Sequence, residues 1–330
     1  MPTGPNRVHL IAHANPLEPY LPRFGLGTAE EFVALARAHL PRPLRVTCNL
    51  RLLKVVEDEW HAGRSDDAAR IRDLNAALAD PRTLAIVAAA GGAYFTRILP
   101  HLDFTPLRRR RHPLWALGFS EMTTLVNHVA AFPQGRGVYW LGPTWIGSHF
   151  PPDTARAALG EFWRILPELW AGRRPERLDH LDLGPVRGTV AAGRVRPGRV
   201  RLIGGCLAVL AAAAGGPLRR ALRPAGKWLM IEDVKESPYR IDRHLAALKV
   251  AGWLDGLAGV LIGDFRMTHR DTQDAVIDCL RYQLPSGGRV PIVTTRSVGH
   301  VWPLVPVLLN RPAVVEVRGA DVTIDTLRLR

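Results

Sequence analysis

Short apolar segments alternate with amphipathic segments through the first half of the chain, and no other feature constrains the fold as much. Apolar segments of strand length occupy residues 8–12, 44–49, 84–89, 115–118 and 138–141. Helical spacing of apolar residues predicts helices over residues 28–40, 121–131 and 153–170, and one more that Ser65 caps. Strands that are apolar at almost every position are typical of a parallel sheet with both faces covered. We therefore expect an α/β domain.

The alternation stops near residue 170. Residues 171–185 are charged and contain two prolines, which predicts a linker. Residues 186–202 are rich in valine, arginine and glycine and predict a β-hairpin. Strands and helices are mixed beyond it, which indicates a smaller β-rich α+β domain. We expect one domain over residues 1–170 and a second over residues 186–330, consistent with roughly 150 residues per domain.

The composition is that of a globular but basic protein. Apolar residues make up 47% and charged residues 22%, which excludes a wholly disordered, collagen-like or coiled-coil chain. Lysine and arginine total 44 against 30 acidic residues, a net charge of +14. Such a charge suits nucleic acid, an anionic membrane or a carboxylate-rich substrate. The one dense run, residues 108–111, favours a solvated loop over a binding patch.

Cysteine usage and the known short motifs narrow the class of protein further. Cys48, Cys206 and Cys279 fit neither a disulfide framework nor metal spacing, which indicates a reducing compartment. The N-terminus lacks signal-peptide features, and the apolar run 202–218 is broken by glycines. We expect a cytoplasmic protein that does not bind a membrane. The His-Glu-x-x-His metal motif and a dinucleotide-binding glycine motif are absent, so we expect no metal and no cofactor.

The most informative turn is Gly118-Phe119-Ser120-Glu121, which ends a predicted strand and opens a helix. A serine there would lie at the carboxyl edge of the sheet, where the helix N-terminus can stabilise an oxyanion. The esterase pattern Gly-x-Ser-x-Gly fails at Met122. The alternative is that Ser120 only caps its helix.

Three further positions complete a candidate set for nucleophilic catalysis. Gly91-Gly92 follows a buried strand and could present an N–H group, or could form a plain turn. Glu232 ends another apolar strand and could orient a histidine, or could cap a helix. His300 would be the general base, since a serine hydroxyl needs one near neutral pH. The order serine, glutamate, histidine occurs in several hydrolases, but order alone is weak evidence.

Together these motifs resemble the LD-carboxypeptidase family of serine peptidases, which includes muramoyltetrapeptide carboxypeptidase and the microcin C immunity protein. The strongest stretch is residues 231–243, IEDVKESPYRIDR, and further matches run in the expected order from about residue 8. They are residues 73–81, Gly91-Gly92, Arg97-Ile98-Leu99-Pro100, Gly118-Phe119-Ser120, Gly204-Gly205, Leu254-Asp255-Gly256, Gly263-Asp264-Phe265 and Gly299-His300.

The resemblance implies a fold and a mechanism. The first domain would be flavodoxin-like, and the second β-rich. Ser120 would be the nucleophile, His300 the proton shuttle and Glu232 its partner. The N–H groups of Gly92 and Glu121 would form the oxyanion hole. The family removes the terminal D-amino acid from murein tetrapeptides, so the implied substrate is a small peptide with a D-amino-acid C-terminus, and a homodimer is expected.

Two alternatives to that function remain. The immunity-protein branch cleaves peptide-nucleotide or acyl-adenylate compounds instead, and Trp140 or Trp145 could stack on a nucleobase, although core packing is favoured for both. Cys206 stands where the family usually has asparagine, and Val298 where it often has phenylalanine, so the departures concern specificity. A non-catalytic nucleic-acid-binding protein is the third reading, but no DNA- or RNA-binding motif supports it, and we expect no nucleic-acid partner.

Overall fold

The computed structural model describes residues 4–54, 66–175, 178–266, 273–284 and 290–328. The chain divides into two compact units, Met1–Leu181 and Asp182–Arg330. The boundary lies within the segment that the sequence predicts as a linker. Ser65, the predicted helix cap, lies outside the described residues.

The first unit contains a parallel sheet with a flavodoxin-like strand order. Its strands are β1 (Arg7–Ile11), β2 (Arg45–Cys48), β3 (Thr83–Ala88), β4 (Leu114–Gly118) and β5 (Gly135–Tyr139). Its helices are α1 (Ala29–His39), α2 (Leu50–Leu53), α3 (Asp67–Ala79), α4 (Phe95–Ile98), α5 (Thr123–Ala130), α6 (Pro143–Ile146) and α7 (Pro152–Trp170). The five strands are parallel in the order β2-β1-β3-β4-β5. The predicted α/β class is confirmed.

Local chemistry explains where these helices begin and how far they are buried. The Thr28 side chain caps α1 by accepting a hydrogen bond from the Glu31 N–H at 3.2 Å. Every residue of α5 is buried, in keeping with a helix that packs against β4 and β5. On α7, the buried Glu161 carboxylate accepts hydrogen bonds from the N–H groups of residues 179–181, at 2.8, 3.0 and 3.2 Å. It therefore anchors part of the predicted linker.

The second unit is a closed seven-stranded barrel with helices. Its strands are β6 (Val186–Ala192), β7 (Gly198–Cys206), β8 (Trp228–Val234), β9 (Gly259–Arg266), β10 (Ile292–Thr295), β11 (Val307–Leu308), β12 (Pro312–Arg318) and β13 (Asp321–Asp325). Its helices are α8 (Leu207–Ala212), α9 (Pro217–Leu222), α10 (Pro238–Val250) and α11 (Gln273–Gln283). The barrel order is β10-β6-β13-β12-β7-β8-β9, with β11 outside it. The predicted β-rich second domain is confirmed.

The predicted hairpin over residues 186–202 is wrong in its pairing. Strands β6 and β7 form where expected, but β6 pairs with β10 and β13, while β7 pairs with β12 and β8. In the closed barrel, β6 pairs with two strands that are distant in sequence, and β7 pairs with the distant β12 and with β8. These pairings satisfy the backbone groups that a hairpin would have paired.

The structure bears on the predictions for the basic run 108–111 and for membrane-spanning segments. Residues Thr105–Arg109 form a short 3₁₀ helix, and the half-buried Arg110 donates to the Asp80 carbonyl at 3.0 Å, so the basic run is only partly a solvated loop. Among the described residues, no helix combines the length and apolar character that crossing a membrane requires.

Candidate active site

Ser120 lies directly after β4 in a conformation that is unusual for a residue with a side chain. Its φ is 57°, in the left-handed region. A short 3₁₀ helix, Ser120–Met122, leads from it into α5. Strained backbone of this kind persists only where the surroundings hold it, and it is concentrated at functional sites.

Two hydrogen bonds fix the backbone of this turn. The Ser120 N–H donates to the Tyr139 hydroxyl at 3.1 Å, and the Thr123 hydroxyl donates to the Ser120 carbonyl at 2.7 Å. No side chain of the described residues caps either helix that follows, so the interpretation of Ser120 as a helix cap is wrong. Sequence reasoning missed Tyr139 because its hydroxyl reaches the turn from the neighbouring strand β5.

The glycine pair after β3 approaches this serine closely. A Cβ atom on Gly91 would lie 2.8 Å from the Ser120 Cβ and 3.2 Å from its Oγ, so a side chain there would displace the serine. Gly92 has a φ of 132°, and a Cβ there would lie 2.1 Å from the Asn15 Cγ. Within the parts of the chain that the structure describes, the Gly92 N–H makes no backbone hydrogen bond. The plain-turn reading does not account for this tight packing against Ser120.

The Glu121 side chain has a use that the sequence did not reveal. Its Oε1 accepts hydrogen bonds from the N–H groups of Phe95 and Thr96 at 3.0 and 2.9 Å, and from the Thr96 hydroxyl at 2.9 Å. Burial raises the pKa of Glu121, and the Thr96 and Phe95 hydrogen bonds offset this only in part. The sequence pointed to the Glu121 N–H, whereas the carboxylate ties the turn to α4.

In the second unit, the structure brings Glu232 and His300 together. The His300 Nδ1 lies 2.9 Å from the Glu232 Oε2. The Glu232 side chain is fully buried and that of His300 is 11% exposed. Burial disfavours the charged imidazolium, but the charge and hydrogen bond of Glu232 outweigh it, so the pKa of His300 is raised. A histidine held in this way can accept a proton through Nε2.

The backbone next to this pair leaves space for it and is itself fixed by a hydrogen bond. A Cβ on Gly299 would lie 3.1 Å from the Glu232 Oε2, and its φ of 124° favours glycine. The Asp264 N–H donates to the Val298 carbonyl at 2.9 Å and fixes the segment that precedes the histidine. The reading of Glu232 as a helix cap is wrong, because the N-cap residue of α10 is Ser237; the Glu232 carboxylate bonds His300.

Comparison with known proteins identifies the family. Residues 26–135 match the LD-carboxypeptidase N-terminal domain, and residues 199–315 match the LD-carboxypeptidase C-terminal domain. The chain belongs to the LD-carboxypeptidase family. A candidate carboxypeptidase of Streptomyces coelicolor is 35% identical over 262 residues, covering 78% of this chain and 77% of the relative. The murein tetrapeptide carboxypeptidase of Pseudomonas aeruginosa is 28% identical, covering 77% and 84%.

Solved structures show that this LD-carboxypeptidase family member shares its fold with microcin immunity proteins. The microcin C7 self-immunity protein MccF, as an inactive mutant, is 17% identical with a TM-score of 0.68, covering 98% of this chain and 96% of that one. A MccF-like protein from Streptococcus pneumoniae, in complex with AMP, is 19% identical with a TM-score of 0.66, covering 97% and 99%.

The position that departs from the family pattern beside Glu232 is filled by a buried thiol. The Cys206 thiol donates to the Asp233 Oδ1 at 3.6 Å, and the Ala208 N–H donates to the Asp233 Oδ2 at 2.8 Å. Burial and the neighbouring Glu232 raise the pKa of Asp233 to about 6. Burial and Asp233 raise the pKa of Cys206 well above its ordinary value, so this thiol is unreactive near neutral pH.

The two candidate tryptophans have different surroundings. Trp140 is fully buried and stacks on Phe162 with 5.4 Å between ring centroids, which confirms core packing for this residue. Trp145 is half-buried and meets Phe119 edge to face at 5.4 Å. Trp145 therefore contacts the residue that immediately precedes the candidate nucleophile.

Proposed function

We propose that this protein is a serine carboxypeptidase that hydrolyses the L,D-peptide bond to the terminal D-amino acid of murein tetrapeptides. Ser120 Oγ attacks the scissile carbonyl carbon while His300 Nε2 takes its proton. The imidazolium passes that proton to the leaving amine, and the C–N bond breaks. Water then hydrolyses the acyl-serine ester, with His300 again acting as base. The N–H groups of Gly92 and Glu121 stabilise the oxyanion in both steps.

The observation that carries this proposal is the buried hydrogen bond of 2.9 Å between His300 and Glu232. A carboxylate on Nδ1 selects the tautomer in which Nε2 can act as base, and it stabilises the imidazolium that forms. The strained turn at Ser120 supports the nucleophile. Support for the substrate comes from the Pseudomonas aeruginosa relative, which is named a murein tetrapeptide carboxypeptidase.

The test is mass spectrometry of the cell-wall tetrapeptide ending in D-Ala after incubation with wild-type protein or with Ser120→Ala. We expect the wild type to release one D-Ala and the variant to release none. Retention of full activity by Ser120→Ala would overturn the mechanism. A folded wild type that leaves the tetrapeptide intact would overturn the substrate.

A second candidate function is hydrolysis of peptide-nucleotide or acyl-adenylate compounds. It is favoured by the fold shared with MccF and with the MccF-like protein solved with AMP, and by the position of Trp145 beside Phe119. If it is correct, aminoacyl sulfamoyl adenosine is cleaved or bound tightly, and Trp145→Ala weakens that binding by roughly 1–3 kcal/mol, the stacking free energy of one base. Unchanged binding by Trp145→Ala would remove this support.

The same proposal includes a cytoplasmic location and a homodimer. The three cysteines all lie in the described part of the chain and none forms a disulfide there, which suits a reducing compartment. Light scattering after gel filtration tests the dimer, with a mass of about twice 36.4 kDa expected and a monomer mass contradicting it.

A further inference from the structure

One peptide group of the first unit is held on both edges by opposite charges. The Arg70 guanidinium donates to the Tyr94 carbonyl at 3.1 Å, and the Phe95 N–H donates to the Glu121 carboxylate at 3.0 Å. These two backbone groups belong to the same peptide bond. The Arg70 side chain is fully buried, and Glu121 is 8% exposed. The orientation of the 94–95 peptide is therefore fixed from both sides.

This peptide ends the loop that carries the glycine pair. Tyr94 has a φ of 66°, which a residue with a side chain adopts only where its neighbours hold it. At the other end of the loop, the Gly91 carbonyl accepts a hydrogen bond from the Asn15 N–H at 3.3 Å. Residues 91–94 are thus held at their start by a backbone contact and at their end by two buried charges.

The same charges are connected to the candidate nucleophile. Glu121 follows Ser120 directly, and Gly91 packs so closely on Ser120 that no side chain fits between them. Arg70 is itself held by Asp66 at 3.0 Å, by Asp67, and by the His13 carbonyl at 2.6 Å. Hydrogen bonds therefore connect α3, through the 94–95 peptide at the end of the glycine loop, to the nucleophile turn.

We propose that Arg70 and Glu121 are positioning residues, which clamp the 94–95 peptide and thereby hold Gly91 and Gly92 in place beside Ser120. The inference rests on the proposed function. Neither side chain need touch substrate, and their contribution is the placement of the loop N–H groups when the oxyanion forms. A buried charge pair is a costly way to stabilise a fold, since apolar residues of similar size often do as well. Orienting one peptide from both edges is a task that apolar residues cannot perform.

The chain offers a matched control in Glu161. This buried carboxylate also accepts hydrogen bonds from three backbone N–H groups in the first unit, but it serves residues 179–181 rather than the glycine loop. Glu161→Gln and Glu121→Gln therefore remove the same charge from the same kind of clamp. Loss of fold stability alone would affect both variants alike.

The experiment measures kcat, KM and Tm for D-Ala release by wild type, Glu121→Gln and Glu161→Gln. Glu121→Gln is expected to lower kcat by roughly 10²-fold, as loss of one oxyanion donor does, with little change in KM. Glu161→Gln is expected to keep the wild-type kcat despite a lower Tm. Wild-type kcat in Glu121→Gln, or an equal loss of kcat in both variants, would overturn the clamp.

A milder variant keeps the test open if Glu121→Gln fails to fold. Thr96→Val removes only the hydroxyl that donates to Glu121, and it should lower kcat several-fold without changing KM; an unchanged kcat would count against the clamp.

Failure of the proposed function gives a different result from failure of the clamp. In that case wild type neither releases D-Ala nor differs from Ser120→Ala, whereas failure of the clamp leaves both wild type and Glu121→Gln active.

Discussion

The Ser120 turn of the first unit and the Glu232–His300 pair of the second unit are built by different physical means. In the first unit, Ser120 is placed by backbone geometry, through a positive φ, a glycine that packs against its side chain and a hydrogen bond from its own N–H. In the second unit, His300 is placed by a buried carboxylate, and its charge state depends on that partner. The Ser120 turn therefore depends on a strained backbone, and the Glu232–His300 pair depends on a buried electrostatic interaction.

This difference determines which substitutions the Ser120 turn and the Glu232–His300 pair tolerate without loss of stability. Removing the Ser120 hydroxyl leaves the backbone of the turn intact, so the stability of the fold should be almost unchanged. Removing the imidazole takes away the group whose Nδ1 lies 2.9 Å from the buried Glu232 carboxylate, and breaking a buried pair is costly. Substitutions of Ser120 should therefore affect activity alone, whereas substitutions of His300 should affect both activity and stability.

The largest expected effect contrasts Ser120→Ala with His300→Ala. Each should lower kcat by about 10⁶-fold, because the two groups act as a unit. Ser120→Ala should change the free energy of unfolding by less than about 1 kcal/mol. His300→Ala should lower it by roughly 3–5 kcal/mol, the cost of breaking a buried charged pair by removing one partner. Kinetics and urea denaturation of both variants check this.

A buried histidine outside the proposed site is the control. His128 bonds the Thr124 carbonyl at 2.8 Å and stacks on Phe104 at 4.8 Å between centroids. His128→Ala should be destabilised yet keep its kcat at a temperature well below its Tm. If it loses activity as completely as His300→Ala, the assignment of the base is in error.

The next largest effect concerns Glu232→Gln, which should lower kcat/KM by about 10⁴-fold. In wild type, kcat/KM should rise with pH through a midpoint above 6.5, the ordinary pKa of histidine, because Glu232 raises the pKa of His300. In the variant, burial is opposed only by the more distant charges of Asp233 and Asp264, so the midpoint should move to lower pH. A pH–rate profile of both proteins measures this, and an unmoved midpoint would contradict the pairing.

The stability of the fold should also depend on the protonation of His300. Because the folded-state pKa of His300 is raised, the ion pair stabilises wild type at low pH, and that contribution is lost as pH rises through the raised pKa. Denaturation of wild type across this range should show the decline, whereas Glu232→Gln should not.

A smaller effect is expected for Gly91→Ala. Its Cβ would lie 2.8 Å from the Ser120 Cβ, so the turn or the loop must move. Displacement of a nucleophile by a fraction of an ångström to 1 Å costs up to about 10²-fold in kcat. Gly215→Ala is the matched control, because nothing lies within 4 Å of its added Cβ. Equal kcat in both variants would show that the close packing at Gly91 is unimportant.

The smallest effect is expected for Asp233→Asn. Asp233 adds to the charge that raises the pKa of His300, so its removal should lower the pH midpoint by less than Glu232→Gln does. Since the pKa of Asp233 is raised to about 6, wild type and variant should converge below that pH. A midpoint that moves further than in Glu232→Gln would reverse the assigned importance of the two carboxylates.

Local sequence signals were enough to predict the strand–turn–helix at Ser120 and most element positions. Helix α1 begins directly after its capping Thr28, and strands β1 to β4 lie within one residue of the apolar runs that predicted them, whereas β5 begins three residues before the predicted 138–141. Parallel sheets suit such prediction because their strands are apolar at most positions and are separated from one another by helices. The pairing of β6 with β10 and β13 could not be read in this way, because barrel closure joins segments about 100 residues apart.

The parts of the site that sequence reasoning missed are side chains that act at a distance along the chain. Tyr139 and Arg70 reach the nucleophile turn and the glycine loop from separate elements, and neither belongs to a motif. Glu121 was singled out for its N–H alone, although an acidic residue in a buried first turn was a signal that its carboxylate has a partner. Hydrogen bonds between distant residues depend on tertiary structure, and local patterns do not contain them.

The central claim is that Ser120 is a nucleophile activated by His300. Peptide-mapping mass spectrometry after treatment with a fluorophosphonate tests it without assuming a substrate, because the reagent phosphonylates an activated serine. We expect one phosphonyl group on Ser120 in wild type, with labelling at least about 10²-fold slower in His300→Ala, the lower range for a general base. Labelling of another serine, or an unchanged rate at Ser120 in His300→Ala, would contradict the account.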